Sequence, residues 1–367
     1  GSDNVVFTGK LGVKIKLKPL NTSDVKVYVN PRNEWAQIFD DVWWMEKEFF
    51  YDANMHNLDW DGVYDRYKTL LPHVGRREDL NTLVREMIAE MQVGHNRTGG
   101  GDVYREQGVD LGLLGADYSL ENGAYRISKI YSGENWNPFL SGPLSIPGIG
   151  VSEGDYILAV NGRPLTRTDN IYAYFQSTVG KQVTLSVNSS PSTVGARNVV
   201  VEPIGNDTQL RHWHWVEKNR KYVEDVSNGK LGYVYLPNTG GAGYTYFNRM
   251  FFAQIDKEGM IIDERRNGGG QAANYITDVL SRQYLAGWKD RDGEIFDTPA
   301  GAIYGPKVML IDQDAGSGGD FLPYSFREMG IGTLIGTRTW GGLIGISANP
   351  GLIDGASLTV PYFRFFN

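Results

Sequence analysis

The strongest constraint on the fold of this 367-residue chain is one pattern that occurs twice in its C-terminal half. Each copy has a buried strand, a glycine-rich turn and an amphipathic helix: 260–263, 267–270 and 273–280 in the first copy, and 307–311, 314–320 and 321–329 in the second. A strand that leads through a tight turn into a helix, repeated, is typical of a mostly parallel sheet covered by helices. Glycine makes up 46 residues, an excess that belongs to such turns. We therefore predict an α/β domain over residues 206–367.

The first 104 residues predict a domain of strands followed by a helical bundle. Apolar residues alternate with polar ones over 10–30, which predicts two strands joined by a turn at 21–24. The inward positions of these strands are Val13, Ile15, Leu17, Val25, Val27 and Val29. Two helices follow, one capped by Asn33 and one stopped by Gly94. Their apolar stripes are Trp35, Ile38, Val42 and Met45, and then Leu80, Leu83, Val84, Met87, Ile88 and Met91.

Short β segments dominate residues 105–205, with glycine and proline at the joins. The predicted strands are 125–131, 155–160, 182–187 and 198–201, and a short helix is predicted at 169–178. The predicted fold class is therefore multidomain α+β and α/β. It has strands plus helices over 1–104, a β-rich module over 105–205 and an α/β core over 206–367.

Composition excludes several classes of function. The net charge of −7 gives no basic footprint for nucleic acid. No apolar run approaches the roughly 18 residues of a membrane span, and no signal peptide is visible. The absence of cysteine excludes thiol nucleophiles and Cys-ligated zinc. Gly1 and Ser2 resemble a cleavage scar, so we expect the natural start to be missing, and a soluble protein of either cytoplasm or periplasm fits the chain.

The two glycine-rich turns are candidate sites of chemistry. Backbone N–H groups in such turns can point at an anion. The turn 267–270 carries no side-chain nucleophile, so its natural role is an oxyanion hole. The other turn holds Ser317 between glycines, the geometry of an activated nucleophile. Two alternatives stay open: tight turns that only need positive φ, and a phosphate loop, which lacks the Gly-Lys-Ser/Thr ending.

A serine nucleophile needs a base, and the chain has five histidines. His56 and His73 are predicted at the surface. His212 and His214 alternate with tryptophans, which predicts a strand, and they lack a third ligand at metal-binding spacing. His95 is different because it lies just past a helix end beside a glycine-rich turn. After the strand at 260–263, the charged residues Asp263, Glu264, Arg265 and Arg266 are interpreted as structural, with a substrate-carboxylate role for the arginines as the alternative.

Five segments carry motifs: QVGHNRTGGG at 92–101, GDYILAVNG at 154–162, IIDERRNGGG at 261–270, AGSGGD at 315–320 and IGTRTWGG at 335–342. The second is similar to the PDZ signature. Together they resemble the core of the tricorn-type serine peptidases, relatives of the tail-specific carboxy-terminal processing peptidases. The resemblance covers nearly the whole chain. It implies a first core domain, a PDZ-like domain and a crotonase-like α/β peptidase core.

The resemblance also implies roles for single residues. Ser317 resembles the family nucleophile and His95 the general base, while Gly269 and Gly318 resemble the oxyanion donors. The Leu111, Gly112, Leu113 and Leu114 segment is a candidate loop for the C-terminal carboxylate of a peptide. The PDZ-like domain as a simple spacer is the alternative. No metal or cofactor is implied, and a homo-oligomer is suggested.

Three departures from the family pattern bear on activity. Segment 339–342 has glycine where tail-specific peptidases carry a lysine base, which favours the tricorn branch. Gly94 stands where similar tricorn peptidases have a helper serine. The family's acidic residue, in a Glu-Asn/Gly context, has no counterpart before Asn367, so we expect a C-terminal truncation.

The first hypothesis is a serine peptidase acting on peptides or unfolded proteins through an acyl-enzyme. The alternative, motivated by Gly94 and the missing acidic residue, is a peptide-binding PDZ scaffold with an inactive peptidase core. A crotonase-like acyl-thioester enzyme is a third reading, against which the PDZ signature argues.

Overall fold

The computed structural model describes residues 7–8, 18–22, 24–346 and 349–367. The chain forms two compact units, Gly1–Tyr104 with Ile344–Asn367, and Arg105–Leu343. One unit boundary falls between residues 104 and 105, and residues 206–367 are divided between the two units. Their last 24 residues join the N-terminal unit.

The described residues contain seven α-helices: α1 (Pro31–Phe49), α2 (Trp60–Lys68), α3 (Arg77–Ala89), α4 (Thr208–Val226), α5 (Gly241–Phe252), α6 (Ala273–Leu280) and α7 (Gly318–Glu328). The strands described are β1 (Phe7–Thr8), β2 (Lys18–Pro19), β3 (Arg97–Gly99), β4 (Ala116–Glu121), β5 (Ala124–Ile130), β6 (Tyr156–Val160), β7 (Arg163–Pro164), β8 (Val183–Asn188), β9 (Arg197–Val201), β10 (Leu231–Tyr235), β11 (Gly259–Asp263), β12 (Ala286–Lys289), β13 (Ile295–Thr298), β14 (Lys307–Ile311), β15 (Thr333–Gly336), β16 (Ile344–Ile346), β17 (Ser357–Thr359) and β18 (Pro361–Arg364).

The N-terminal unit is built on α1, α2 and α3, and the apolar stripes predicted for α1 and α3 pack into one core with Trp60 and Val63 of α2. Helix α1 begins earlier than predicted, because the side chain of Asn30, rather than Asn33, accepts the N–H of Arg32 and caps it. Helix α3 ends at Ala89, so the prediction that Gly94 stops it was wrong, and Gly94 lies in the following turn.

The predicted N-terminal strands are only partly testable. Val13, Ile15 and Leu17 lie outside the described residues. Val25 and Val27 belong to no strand and are exposed, so the second predicted strand was wrong. Alternation marks a strand only where one face is covered, and these side chains are not buried.

The C-terminal segment completes the core of the N-terminal unit. Strand β17 pairs antiparallel with β3, and β16 pairs with β18. Leu352, Ala356, Leu358 and Val360 pack into the same core as the three helices. A buried ion pair joins this segment to α3, with Arg77 Nε 2.6 Å from Asp354 Oδ2.

The larger unit begins with an antiparallel sheet of order β4-β5-β6-β8-β9, with β7 paired to β6. Its core holds the inward residues of every long strand, among them Ile127, Ile157, Leu185 and Val187. The helix predicted at 169–178 was wrong in type, because the structure has a short 3₁₀ turn at Ile171–Phe175. The β-rich prediction for this region is otherwise confirmed.

The same unit contains a parallel four-stranded sheet of order β10-β11-β14-β15, as the repeated pattern predicted. Its core also holds buried residues of α4, α5, α6 and α7. His212 and His214 lie in α4, so their predicted strand was wrong. The buried positions of α4, Leu210, Trp213, Val216 and Val223, have helical spacing that the Trp-His alternation obscured.

Candidate active site

The two glycine-rich turns follow neighbouring strands. Strands β11 and β14 pair in parallel, with Asp263 opposite Leu310, so both turns leave the same edge of the sheet. Side chains and ligands gather at the carboxyl edge of parallel sheets. The sequence therefore brings the Ser317 turn and the 267–270 turn together through strand order.

Ser317 occupies a strained backbone position at the start of α7. Its φ of 61° and ψ of −114° place a non-glycine residue in a region that L-residues rarely adopt. The Asp320 carboxylate stabilises this turn, because it accepts the N–H of Ser317 at 2.6 Å and that of Gly341 at 2.6 Å. Such stored strain is typical of functional sites.

Gly269 lies against the nucleophile. Its φ is 80°, and a Cβ added to it would be 2.7 Å from the Cβ of Ser317 and 2.7 Å from the carbonyl oxygen of Gly316. Only glycine fits there. The N–H of Gly269, however, donates to Oδ1 of Asn267 at 2.9 Å. This N–H is engaged within the turn, which removes the support for Gly269 as an oxyanion donor.

The N–H of the next glycine, Gly270, is not engaged in the turn in this way. Within the described part of the chain, the Gly270 N–H has no hydrogen-bond partner. A Cβ on Gly318 would lie 2.7 Å from the Gly270 nitrogen, so the two turns touch at these residues. Gly318 is the first residue of α7, where an N–H has no partner inside the helix. The indole of Trp340, 46% exposed, packs against Gly316 on the adjoining side.

His95 belongs to the N-terminal unit, whereas Ser317, Gly269 and Gly318 belong to the larger one. His95 lies in the turn between α3 and β3 with a φ of 66°. The Thr359 hydroxyl donates to the carbonyl oxygen of His95 at 2.7 Å, so the C-terminal segment helps to fix this turn. Asn81, on α3, donates to the carbonyl of Gly100 at 3.0 Å and holds the far end of β3.

Two acidic residues are buried where β11 ends, ahead of the 267–270 turn. Asp263 is fully buried and paired with Arg265 at 2.6 Å, and it also accepts the hydroxyl of Tyr233 at 2.7 Å. This favours the structural reading of Asp263 and Arg265. Glu264 is also fully buried, and burial together with the nearby charge of Asp320 raises its pKa well above the usual value.

Sequence reasoning missed the supporting roles of Asp320 and Asn267. The Ser-x-x-Asp spacing of Ser317 and Asp320 was a readable signal of an N-terminal helix cap. Asn267 followed by glycines is the pattern of an Asx turn, in which the Asn side chain accepts the N–H two residues later, so its bond with Gly269 was readable as well.

The candidate carboxylate loop of the PDZ-like region is tied into its own domain. The N–H of Gly112 donates to Phe175 at 2.9 Å and that of Leu113 to Ile204 at 2.7 Å. Leu114 is buried, and Leu111 forms a bridge with Gln176. The N–H groups of Gly112 and Leu113 are thus engaged, so neither supports a peptide-carboxylate role.

The other four histidines are either exposed or lie in α4. His56 and His73 are exposed, as predicted. His212 stacks near Tyr235 and Trp215, and burial lowers its pKa. Within the described ranges, no group of three or more His, Asp or Glu side chains is placed to hold a metal ion.

Three family models match the chain. The tricorn protease C1 domain matches residues 31–89, the tricorn protease PDZ domain matches 112–206, and peptidase family S41 matches 230–367. Across the described residues, no helix is both long and apolar enough to cross a membrane.

Curated relatives align over almost the whole chain. Tricorn protease homolog 1 of Streptomyces coelicolor is 35% identical over 93% of this chain and 32% of its own length. Tricorn protease of Thermoplasma volcanium is 30% identical over 99% of this chain and 35% of its own length. The crystal structure of the tricorn protease superposes with a TM-score of 0.87 at 28% identity, over 95% of this chain and 34% of that one. The chain thus spans about a third of the length of these relatives.

Proposed function

Because this chain belongs to the tricorn-type S41 peptidases, whose C1, PDZ and peptidase domains it carries, we propose that it hydrolyses peptides through a serine acyl-enzyme. The observation that carries the proposal is the backbone of Ser317. A serine held at positive φ, at the start of a helix and against a second glycine-rich turn, has the geometry of a nucleophile beside an oxyanion hole.

The proposed reaction has two halves. Ser317 Oγ attacks the scissile carbonyl carbon while His95 accepts the hydroxyl proton. The C–N bond then breaks, and His95 returns the proton to the leaving amine. Water attacks the acyl-ester in the second half, again losing a proton to His95, and the carboxylic acid leaves as Ser317 regains its hydrogen.

The tetrahedral oxyanion needs two N–H donors. We assign these to Gly318 and Gly270. Gly270 replaces Gly269 in this role because the Gly269 N–H already donates to Asn267, whereas that of Gly270 has no partner among the described residues. Gly269 keeps a steric role, since any side chain there would meet Ser317.

The finer fold assignment is also a proposal. The parallel sheet β10-β11-β14-β15, with turns at its carboxyl edge that serve an oxyanion, supports a crotonase-like core. Peptides or unfolded protein segments are the proposed substrates, and a homo-oligomer remains the expectation from the family. The engaged amides of Gly112 and Leu113 weaken the alternative of a peptide-binding scaffold.

The test is turnover of a fluorogenic peptide mixture together with labelling by a fluorophosphonate probe. We expect Ser317→Ala to lose both hydrolysis and labelling, and His95→Ala to lose most of each. The exposed Ser190→Ala and His73→Ala are matched controls from the same two units and should behave like the wild type.

Hydrolysis that survives in Ser317→Ala would refute the nucleophile. A folded wild-type chain that is neither labelled nor active would count against the peptidase proposal. If peptide binding then survived in Ser317→Ala, the scaffold alternative would be favoured.

A further inference from the structure

The carboxyl group of Glu264 is buried directly behind the turn that faces the nucleophile. The residue follows β11 and has no exposed surface. Its Oε2 accepts the Nδ2–H of Asn267 at 3.3 Å, and its Oε1 has no hydrogen-bond partner in the part of the chain that the structure describes. A buried polar side chain with so few partners destabilises the fold, so its presence calls for a reason.

Asn267 connects Glu264 to the oxyanion turn. Its Oδ1 accepts the N–H of Gly269 at 2.9 Å, and its carbonyl oxygen accepts the N–H of Gly316 at 3.0 Å. A Cβ on Gly319 would lie 3.0 Å from the Asn267 Cβ, so the side chain is also packed against α7. This amide holds the N–H side of Gly269, while the N–H of Thr239 donates to the Gly269 carbonyl oxygen at 2.9 Å and holds the other side.

An amide side chain has two ends, and each needs a suitable partner. The Oδ1 end of Asn267 must face the Gly269 N–H for the turn to hold, which places Nδ2–H toward Glu264. An apolar residue at position 264 would leave this N–H buried without an acceptor. Glu264 thus selects the productive orientation of the amide.

The surroundings of Glu264 favour its neutral form. Asp320 of α7, Asp312 just after β14 and Asp263 at the end of β11 act on it electrostatically, and in the described part of the chain only Asp263 among them is paired with a cation, Arg265. Burial and these three carboxylates raise the pKa of Glu264, against the opposing effect of the Asn267 amide. An ionised Glu264 would add a buried negative charge behind a turn that must stabilise an oxyanion.

We propose that Glu264, in its protonated form, is a positioning residue for the oxyanion turn, acting through the side-chain amide of Asn267. The inference rests on the proposed peptidase function. Glu264 does not touch the reacting atoms; it holds Asn267 so that Gly269 stays against Ser317 and the neighbouring Gly270 N–H keeps its direction.

Two substitutions separate charge from hydrogen bonding. Glu264→Gln keeps an acceptor for Asn267 and is neutral, so we expect kcat to fall no more than about three-fold. Glu264→Leu has similar volume but no acceptor, and leaving the buried amide unpaired should lower kcat about ten-fold or more while KM changes less than about two-fold. Glu258→Gln, at an exposed glutamate paired with Lys230 in the same unit, is the matched control. Glu264→Met takes the place of the leucine variant if that variant does not fold.

Amide hydrogen exchange of Gly269 tests the same inference without catalysis. We expect protection to be kept in Glu264→Gln and to fall about ten-fold or more in Glu264→Leu, because Asn267 loses its orientation. Equal protection in the wild type and both variants would overturn the inference, whether or not the chain proves to be a peptidase.

The kinetic outcomes are equally decisive. An active wild type with an inactive Ser317→Ala, and glutamine and leucine variants that both keep the wild-type kcat, would refute the role of Glu264 and leave the peptidase proposal standing. A glutamine variant as impaired as the leucine variant would show that the charged carboxylate matters, which contradicts the neutral form.

Discussion

Asp354→Ala should be among the most destabilising single changes in the N-terminal unit. The Asp354 carboxylate accepts hydrogen bonds from Arg77 Nε at 2.6 Å, from Arg77 Nη2 at 3.5 Å, from the N–H of Asp102 at 3.2 Å and from that of Ala356 at 3.1 Å. Both charged side chains are 3% exposed. The pair joins the C-terminal segment to α3, although the two are far apart in sequence.

The expected loss follows from burial rather than from the ion pair alone. Removing one partner of a buried pair leaves the other charge without compensation and costs about 3–5 kcal/mol. Alanine at position 354 also deprives two backbone amides of their acceptor, so we expect the upper half of that range. Arg77→Met should cost about 3 kcal/mol, because the carboxylate keeps both amides. The double variant should cost less than the sum, with a coupling of at least about 2 kcal/mol.

Urea unfolding of the four proteins measures these differences, and hydrogen exchange of α3 and β3 localises them to the unit. Asp61→Ala is the control, because its pair with Lys47 is exposed and should contribute less than about 1 kcal/mol. A loss below about 1 kcal/mol for Asp354→Ala, or an additive double variant, would refute the reasoning.

Lowering the pH should remove the contribution of the Arg77–Asp354 pair to the free energy of unfolding. Burial alone would raise the pKa of Asp354, but the hydrogen bonds from Arg77, Ala356 and Asp102 outweigh it and hold the pKa below the usual 3.8. A depressed folded-state pKa stabilises the protein above the unfolded value, and the stabilisation is lost as the pH falls through the folded one. The gap between the wild type and Asp354→Ala should therefore narrow only below about pH 3.8.

Two further predictions concern other carboxyl groups. Asp320→Ala removes the acceptor of the Ser317 and Gly341 amides, so it should lower the free energy of unfolding by about 2–4 kcal/mol. It should also slow fluorophosphonate labelling of Ser317 more than about ten-fold. Asp320→Asn keeps one acceptor oxygen, so both effects should be smaller. Burial raises the pKa of Glu46 to about 8, against the opposing effect of the Asn96 amide, so folding takes up a proton between about pH 4.5 and pH 8. The free energy of unfolding should therefore fall as the pH rises through this range. Glu46→Gln should reduce the difference between urea unfolding at pH 5 and at pH 8, and an unchanged difference would contradict the prediction.

Local patterns predicted the elements whose stabilising contacts are close in sequence. The α3 stripe of Leu80, Val84 and Met87 is buried as expected, and β14 has the bounds that the buried run 307–311 predicted. The ends of helices were harder to predict, because a cap depends on a single side chain. In α1, Asn30 rather than Asn33 caps the N-terminus.

Partners that are distant in sequence could not be read in this way. Leu358 of β17 pairs with Thr98 of β3, and the sequence of neither short segment indicates its pairing partner. The packing of residues 344–367 with the N-terminal unit could not be predicted for this reason. The turn of Ser317 was recognisable from strand, glycines and helix, whereas its close contact with Gly269 depends on the pairing of β11 with β14.

The two halves of the proposed machinery are each fixed inside their own unit, by contacts of different kinds. The turn of His95 depends on the C-terminal segment, through Thr359 and the strand pairing that Asp354 helps to secure. The turn of Ser317 depends on Asp320. Asp354→Ala should thus lower the amide protection of the turn that holds His95 and leave that of the Ser317 turn unchanged. Asp320→Ala should lower the amide protection of the Ser317 turn and leave that of the His95 turn unchanged. Because hydrogen exchange reports each unit separately, a variant that loosened both turns equally would mean that the halves are not independently held.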